Sequence, residues 1–386
     1  MRMTKKQLYK MHGWAGLFCL IPFMLICLTG SILVFKTEID MWLMPDIAAV
    51  VEGEQRLNAN RLLQQIHQHY PDYELGSWEL LGNNGQADRI YLIKQGTDIW
   101  YKAHINPFTG DKLSEPTLMS HYLTDWLLEL HYTLLLNDIR GLDEHLGTAF
   151  TSIFALLLIF LGISGLIIYR HFWRRIFTLR WDQRLLVVFS DLHKMVGTLA
   201  SPILLVLGIT GGYYNIAIYV HEWQEHQDGQ EHHKISARLY NSDLNFEQLF
   251  TQTEQYLTGF ETTYVLMPTE PKYPITLFGK VSSNNPLLSD YGSTLTFDAQ
   301  TGNLLNSYDI RQQSFVMVMV DTFRKLHFGN FAGLTSKVIY TIVGLTPLLL
   351  GITGAYLWIS RRNKRARKSH SINADSAVLN SKRCQN

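Results

Sequence analysis

An excess of charge of either sign, cysteine and nucleotide-binding loops are what this chain lacks. Its 34 Lys and Arg stand against 33 Asp and Glu, a formal charge of +1, whereas binding to nucleic acid rests on a clear basic excess that neutralises phosphates. Nucleic acid is therefore excluded as a partner. Three cysteines, Cys19, Cys27 and Cys384, are too few for a disulfide framework, and two of them sit in an apolar run, so they read as packing residues. No Gly-x-Gly-x-x-Gly loop follows a strand and no flavin-binding region is present, so no dinucleotide site is expected. The absence of Cys-x-x-Cys-His excludes covalent haem attachment.

Long apolar runs are abundant. Of 386 residues, 47% are apolar, which suits a mixture of membrane and soluble parts. Four stretches, roughly 13–35, 146–169, 196–220 and 338–359, are long enough to cross about 30 Å of hydrocarbon as helices. Lys and Arg near helix ends stay on the cytoplasmic side. They cluster before the first stretch (Arg2, Lys5, Lys6, Lys10), between the second and third (Arg170, Arg174, Arg175, Arg180, Arg184) and after the fourth (Arg361, Arg362, Lys364, Arg365, Arg367, Lys368). The expected topology is a bacterial inner-membrane protein with residues 1–12, 170–195 and 360–386 cytoplasmic and 36–145 and 221–337 periplasmic. The first stretch lacks a small-residue cleavage pattern and reads as a retained span, not a signal peptide.

The two outer segments resemble each other. Ile105-Asn106-Pro107-Phe108-Thr109-Gly110-Asp111-Lys112-Leu113 and Phe297-Asp298-Ala299-Gln300-Thr301-Gly302-Asn303-Leu304-Leu305 both close a polar turn on Thr-Gly and return to Leu. Alternating stretches accompany them, Ile90 to Ile93 and Ser293 to Phe297, which is a hairpin signature. A helix opened by a capping Asn is expected ahead of each, Asn58 to His69 and Asn245 to Tyr256. Each segment thus reads as a small α+β module.

A second repeat lies in the spans. His12-Gly13-Trp14-Ala15-Gly16, Pro22 and Thr29-Gly30 are echoed by His193-Lys194-Met195-Val196-Gly197, Pro202 and Thr210-Gly211, with 17 residues from His to Thr in both. Leu130-His131 precedes Ile163-Ser164-Gly165, and Leu326-His327 precedes Ile352-Thr353-Gly354, with an insertion around Asn137 to Gly141 accounting for a seven-residue difference. The fold class expected is therefore a four-helix membrane protein with periplasmic α+β modules and an internal duplication.

Duplication selects among the 15 histidines. His67, His69, His104 and His121 fall in the outer modules and read as satisfied or exposed side chains. His12 and His193 enter two spans at one depth, and His131 and His327 lie just before two others, where ionisable groups are functional. Paired neutral imidazoles in apolar surroundings suit haem iron, while zinc needs three or four ligands. At ~1.5 Å per residue, the 17-residue spacing sets Gly30 and Gly211 about 25 Å from His12 and His193, near His131 and His327. Gly165 and Gly354 then end near His12 and His193. These hydroxyl-glycine pairs serve either as seats for a macrocycle or as helix-packing notches.

The motifs His-Gly-Trp-Ala-Gly, Leu-Thr-Gly, Leu-His-Tyr-Thr-Leu-Leu, Ile-Ser-Gly-Leu, Asp-Leu-His-Lys-Met-Val-Gly from Asp191, Ile-Thr-Gly-Gly, Leu-His-Phe-Gly-Asn-Phe-Ala-Gly and Gly-Ile-Thr-Gly resemble the PepSY-associated transmembrane proteins, over nearly the whole chain up to about Ser360. That resemblance implies four helices around PepSY-like periplasmic modules, and some such proteins are haem-containing ferric-siderophore reductases. It implies two b-type haems, ligated by His12 and His193 and by His131 and His327. His145 departs from the pattern and is a rival outer ligand. Electrons would pass from a cytoplasmic or membrane donor to a ferric siderophore or other periplasmic acceptor.

A non-enzymatic sensor or assembly protein binding a periplasmic partner is the alternative. A siderophore transporter is disfavoured by the lack of a polar pathway through four helices. His221, His226, His232 and His233 with Glu222, Glu225 and Glu231 read as a solvated loop or an iron-collecting segment, and His171 as an interfacial anchor among Arg170, Trp173 and Arg174. Trp42, Trp126, Trp223 and Trp358 suit an aromatic belt against membrane lipid, and the tail from about Ser369 reads as disordered.

Overall fold

The computed structural model describes residues 4–51, 55–81, 85–137, 139–141, 145–170, 177–228 and 234–383, without the side chains of 222, 225–228 and 365–383. Readings on Arg2, His171, Trp173, Arg174, Arg175, Glu231, His232, His233 and Cys384, and on the side chains of Glu222, Glu225, His226, Arg365, Arg367 and Lys368, lie outside the described residues.

Along the chain, α1 (Lys5–Phe18) and α2 (Leu20–Leu33) lead to α3 (Lys36–Leu43), the single turn α4 (Pro45–Ala48) and α5 (Ala59–His69). Strands β1 (Tyr73–Glu79), β2 (Asp88–Lys94), β3 (Trp100–Ile105) and β4 (Thr117–Leu118) precede α6 (Leu123–Thr133), α7 (Leu146–Ile168) and α8 (Leu185–Asp228). Then come α9 (Phe246–Thr251), α10 (Thr253–Tyr256), β5 (Phe260–Leu266), β6 (Ile275–Val281), β7 (Ser293–Phe297), β8 (Leu304–Tyr308), α11 (Phe315–Phe328) and α12 (Gly333–Arg383). The chain divides into a helix unit, made of the residues up to Ile32, Leu130–Tyr219 and those from Val338, and a sheet unit of Leu33–Glu129 and Val220–Lys337.

In the helix unit, Leu146–Ile168, Leu185–His221 and Gly333–Lys364 are long and apolar enough to cross a membrane. The remaining expected span is not one straight helix: α1 and α2 meet at 65° and make a fourth span only when taken together. Pro22 in the first turn of α2 has no N–H for the Phe18 carbonyl, which opens the hydrogen-bond ladder there. The thiol of Cys19, at the break, donates to the Ala15 carbonyl at 2.6 Å. Pro202 lies inside α8, which stays continuous. The apolar run from Leu185 to Phe189 lets α8 begin ahead of residue 196. With no Gly or Pro after Gly354 to stop it, α12 runs past the last span to Arg383. Small residues let these helices approach, with Gly162 of α7 against Leu205 of α8 and Gly344 of α12 against Ser31 of α2.

The sheet unit is one eight-stranded antiparallel sheet in the order β4-β3-β2-β1-β5-β6-β7-β8. Each run of four strands is a meander, and the two join where Trp78 of β1 pairs with Val265 of β5. Strand alternation turns Trp78, Ile90, Leu92, Val265, Leu277 and Leu295 into a core shared with Leu62 and Ile66 of α5 and Phe246 and Leu249 of α9. The expected helix from Asn58 forms with the Asn58 side chain accepting from Asn60 N, whereas the one from Asn245 breaks at Gln252 into α9 and α10. The starts of α5 and α9 satisfy each other: Ala59 N donates to Glu247 Oε2 and Phe246 N donates to Asn60 Oδ1, both at 2.7 Å. β7 and β8 form the hairpin expected at Thr301-Gly302. At Thr109-Gly110 the return is a single bridge from Ile105 to Lys112.

The other sheet face carries buried charge. Asp125 of α6 accepts from Lys36, at 2.8 Å, and from Lys102 of β3. Burial alone would raise the Asp125 carboxyl, but Lys102 and Lys36 outweigh it and hold it below the usual carboxylate range. Asp321 of α11 accepts from Ser289 N at 2.8 Å, and burial reinforced by Asp290 raises it against the pull of that N–H, Lys325 and Arg324.

Candidate cofactor site

His12 comes from the middle of α1 and His193 from near the start of α8. Their ring centroids lie 6.4 Å apart with planes at 83°. His12 Nδ1 meets Ser164 Oγ of α7 at 2.7 Å, and His193 Nδ1 meets Thr353 Oγ1 of α12 at 3.0 Å. The hydroxyl hydrogens are directed elsewhere: Ser164 Oγ donates to the Leu161 carbonyl at 3.3 Å and Thr353 Oγ1 to the Leu349 carbonyl at 2.7 Å. The hydrogen-bond network therefore assigns the proton of each ring to Nδ1 and the lone pair to Nε2. That is the tautomer a metal-binding imidazole adopts when its second nitrogen is held in place.

The glycines after these hydroxyls are where the rings pass. A Cβ on Gly165 would lie 3.5 Å from His12 Cε1, and one on Gly354 would lie 3.2 Å from His193 Cε1. Both histidines open onto a cavity of about 670 Å³ within the helix unit, lined also by Gly16, Gly162, Gly197 and Gly351. Trp14 and Trp358 meet edge to face across 5.6 Å in its wall. Trp358 thus lines the cavity as well as lying near the end of a span, while Trp42, Trp126 and Trp223 are exposed. Lys6, Lys10, Lys194, Arg361 and Arg362 line it too, and for the arginines an orienting rule was all that the sequence offered.

His131 in the last turn of α6 repeats the arrangement. Its Nδ1 donates to the Ile26 carbonyl at 2.8 Å and lies 3.2 Å from Thr29 Oγ1, whose hydrogen goes to Leu25 O. A Cβ on Gly30 would meet its Cε1 at 2.6 Å, so only glycine admits the ring here. Three and four residues later Leu134 and Leu135 adopt left-handed backbone, with φ of 55° and 58°, which is unusual for leucine and strained. Thr210, before Gly211, is buried and donates to the Val206 carbonyl at 2.8 Å, as Thr29 does to Leu25. His327 is the next-to-last residue of α11 in the sheet unit. His145 occupies the cap position before α7, where its carbonyl accepts from Ala149 N.

Four other histidines of the sheet unit have protein partners or solvent. His67 Nε2 is 2.8 Å from the Tyr240 hydroxyl, His69 Nε2 is 3.1 Å from Gly110 O, His104 is buried beside Ser114 and His121 is exposed. Among the described residues no three His, Cys, Asp or Glu side chains gather as a closed zinc site requires. Sequence reasoning missed Asp125 and Asp321. The signal was an aspartate six residues ahead of each Leu-His, in Asp125-Trp-Leu-Leu-Glu-Leu-His131 and Asp321-Thr-Phe-Arg-Lys-Leu-His327.

A protein of Pseudomonas aeruginosa named uncharacterized protein PA4219 is 23% identical over 265 residues, covering 62% of this chain. The chain spans 64% of that relative's length. The description "PepSY-associated TM region" matches residues 9–361, from the turn before His12 to the first arginine after the last span. The sheet, all four repeated histidine motifs and nearly all of each span fall inside that match, and the chain belongs to the PepSY-associated transmembrane family.

Proposed function

We propose that this is an inner-membrane di-haem b electron-transfer protein that reduces siderophore-held ferric iron on the periplasmic side for iron acquisition. One observation carries the reading: His12 and His193, from different helices, meet over a single glycine-notched cavity with their Nδ1 atoms already engaged. The dimensions support it. The ring centroids of His12 and His193 lie 6.4 Å apart, close enough for both imidazoles to hold one group. Bound there, haem supplies a one-electron ferric/ferrous couple.

The chain's residues do the positioning. Ser164 and Thr353 fix ring rotation and tautomer, and Gly165 and Gly354 leave room beside each ring. His131, oriented by Ile26 and Thr29, and His327 are proposed as ligands of the second haem from their matched Leu-His positions in the sequence. The lysine and arginine clusters support cytoplasmic termini and a periplasmic sheet unit. Duplication is supported by the two meanders joined at β1 and β5 and by the aspartate six residues before each outer histidine. With no dinucleotide loop, electrons come from a cytoplasmic or membrane donor. Reduction releases the iron because siderophore oxygens hold the softer, less charged ferrous ion weakly.

A visible spectrum of the purified protein tests this. A Soret band that shifts on dithionite reduction is expected, and its absence would sink the haem reading. Replacing His12 or His193 should remove one centre, and replacing His131 or His327 the other. Loss of both centres from every single replacement would contradict the pairing. Reoxidation of the reduced protein by ferric siderophores in preference to simple ferric chelates tests the acceptor.

A further inference from the structure

We propose that Lys6, Lys10, Lys194, Arg361 and Arg362 form a dicarboxylate-binding subsite at one end of the His12–His193 cavity and take the acidic edge of an iron porphyrin. This rests on the haem reading and adds to it an orientation and a selectivity for the free acid.

The cavity lining contains five Lys or Arg side chains and no Asp or Glu. Positive charge at the end of a span is ordinary; what sets these five apart is that they line the same cavity as His12 and His193. The cations come from three helices and gather at one end: the start of α1, residue 194 of α8 and the pair at 361 and 362 of α12. The other end is apolar, with Phe23, Leu158, Leu204 and Pro347. The two guanidinium groups are held against aromatic faces, Arg361 at 5.2 Å from the Tyr9 ring centre and Arg362 at 5.3 Å from that of Trp358. Lys194 lies 5.6 Å from the Tyr169 ring centre and 3.8 Å from Asp191, which is itself bound by Arg180. A ligand suited to this space has an apolar, flat body for the glycine-lined depth and anionic groups along one edge. A porphyrin carrying two carboxylates has that shape and charge.

Titration of the cofactor-free full-length protein in neutral detergent, read from the Soret band, tests the assignment with haem and with its dimethyl ester. The wild type should bind the diacid roughly tenfold or more tightly than the diester, as charge-assisted hydrogen bonds require. The triple variant Lys6→Gln, Lys10→Gln, Arg362→Gln should bind the diester as the wild type does and lose the preference. Equal wild-type affinities for diacid and diester would overturn the subsite, as would a preference that survives in a variant still binding the diester. If the variant fails to bind either, the wild-type comparison alone decides. Anionic lipid added to the micelles separates the remaining source of negative charge: loss of the wild-type preference would assign the cations to lipid phosphate and overturn the proposal. Failure of the wild type to bind diacid and diester alike would refute the haem reading itself.

Discussion

The two halves of the sheet unit have the same strand count and order but bury charge differently. In the half from β1 to β4, Asp125 is clamped between Lys36 and Lys102, and Asp40 joins the cluster through Lys36 at 2.9 Å. In the half from β5 to β8, the aspartate at the same distance from its Leu-His, Asp321, is held by a backbone N–H instead. One backbone plan therefore supports a carboxyl held low between two lysines in one place and a carboxyl raised by burial in the other. Local side chains set protonation behaviour, not topology.

The comparison is broken most strongly at the locked site. Asp125→Asn leaves Lys36 and Lys102 buried beside a neutral amide, and the expected loss is about 3–5 kcal/mol, read from urea denaturation followed by sheet-region fluorescence. Asp321→Asn, in the same assay, should change stability by less than about 1 kcal/mol. Comparable losses from the two would show that the halves are equivalent after all.

A second contrast lies along the hydroxyl-glycine notches of the helix unit. Alanine at Gly30 drives a methyl group into His131, so an overpacking loss of about 1–3 kcal/mol is expected. Gly354→Ala should give less and Gly165→Ala least, following spacings of 2.6, 3.2 and 3.5 Å to the facing ring carbon. Thermal melting in detergent gives the order, and a Gly165→Ala variant less stable than Gly30→Ala would reverse the argument.

Acid should separate the sheet halves more gently. Burial, with Arg238 nearby, depresses His67 to about 4, and burial with Lys102 and Arg89 depresses His104 to about 3. Both lie well below the ~6.5 of an unfolded histidine, so their stabilising contribution is complete above that value and is lost as pH falls toward the folded values. The strands β5 to β8 contain no histidine. Asp321, being raised, has the opposite sign: its contribution is present when protonated and fades as pH rises through its folded value. Hydrogen exchange between about pH 6.5 and 4.5 should therefore show β2 and β3 losing protection before β6 and β7. Simultaneous loss in both pairs of strands would remove the distinction.

The smallest effect concerns the tautomer device. Thr353→Ser keeps the hydroxyl that receives from His193 and should leave the Soret spectrum unchanged, whereas Thr353→Val removes it and should shift or broaden the band. An unperturbed Thr353→Val spectrum would mean the hydroxyl plays no part in holding the ring.

Much of this was legible because repetition acts at the level of residues. Leu-His and hydroxyl-glycine recur at matched spacings, and period-2 alternation announced β2 and β7. The bend at Cys19 was not legible, because Pro22 and Pro202 occupy similar positions and only one interrupts its helix. Asp125 escaped because its meaning depends on Lys36 and Lys102, 89 and 23 residues away in the chain, a distance at which spacing carries no signal. The cation-lined end of the cavity escaped for a related reason: three separately innocuous clusters of Lys and Arg acquire a common role only when their helices converge.

The paired starts of α5 and α9 have a further consequence. Because Glu247 receives the amide of Ala59 and Asn60 receives that of Phe246, neither helix owns all the groups that terminate its first turn. The halves of the sheet unit are in this respect interlocked: separating them would leave one first-turn amide of each helix without the side chain that receives it in the intact chain.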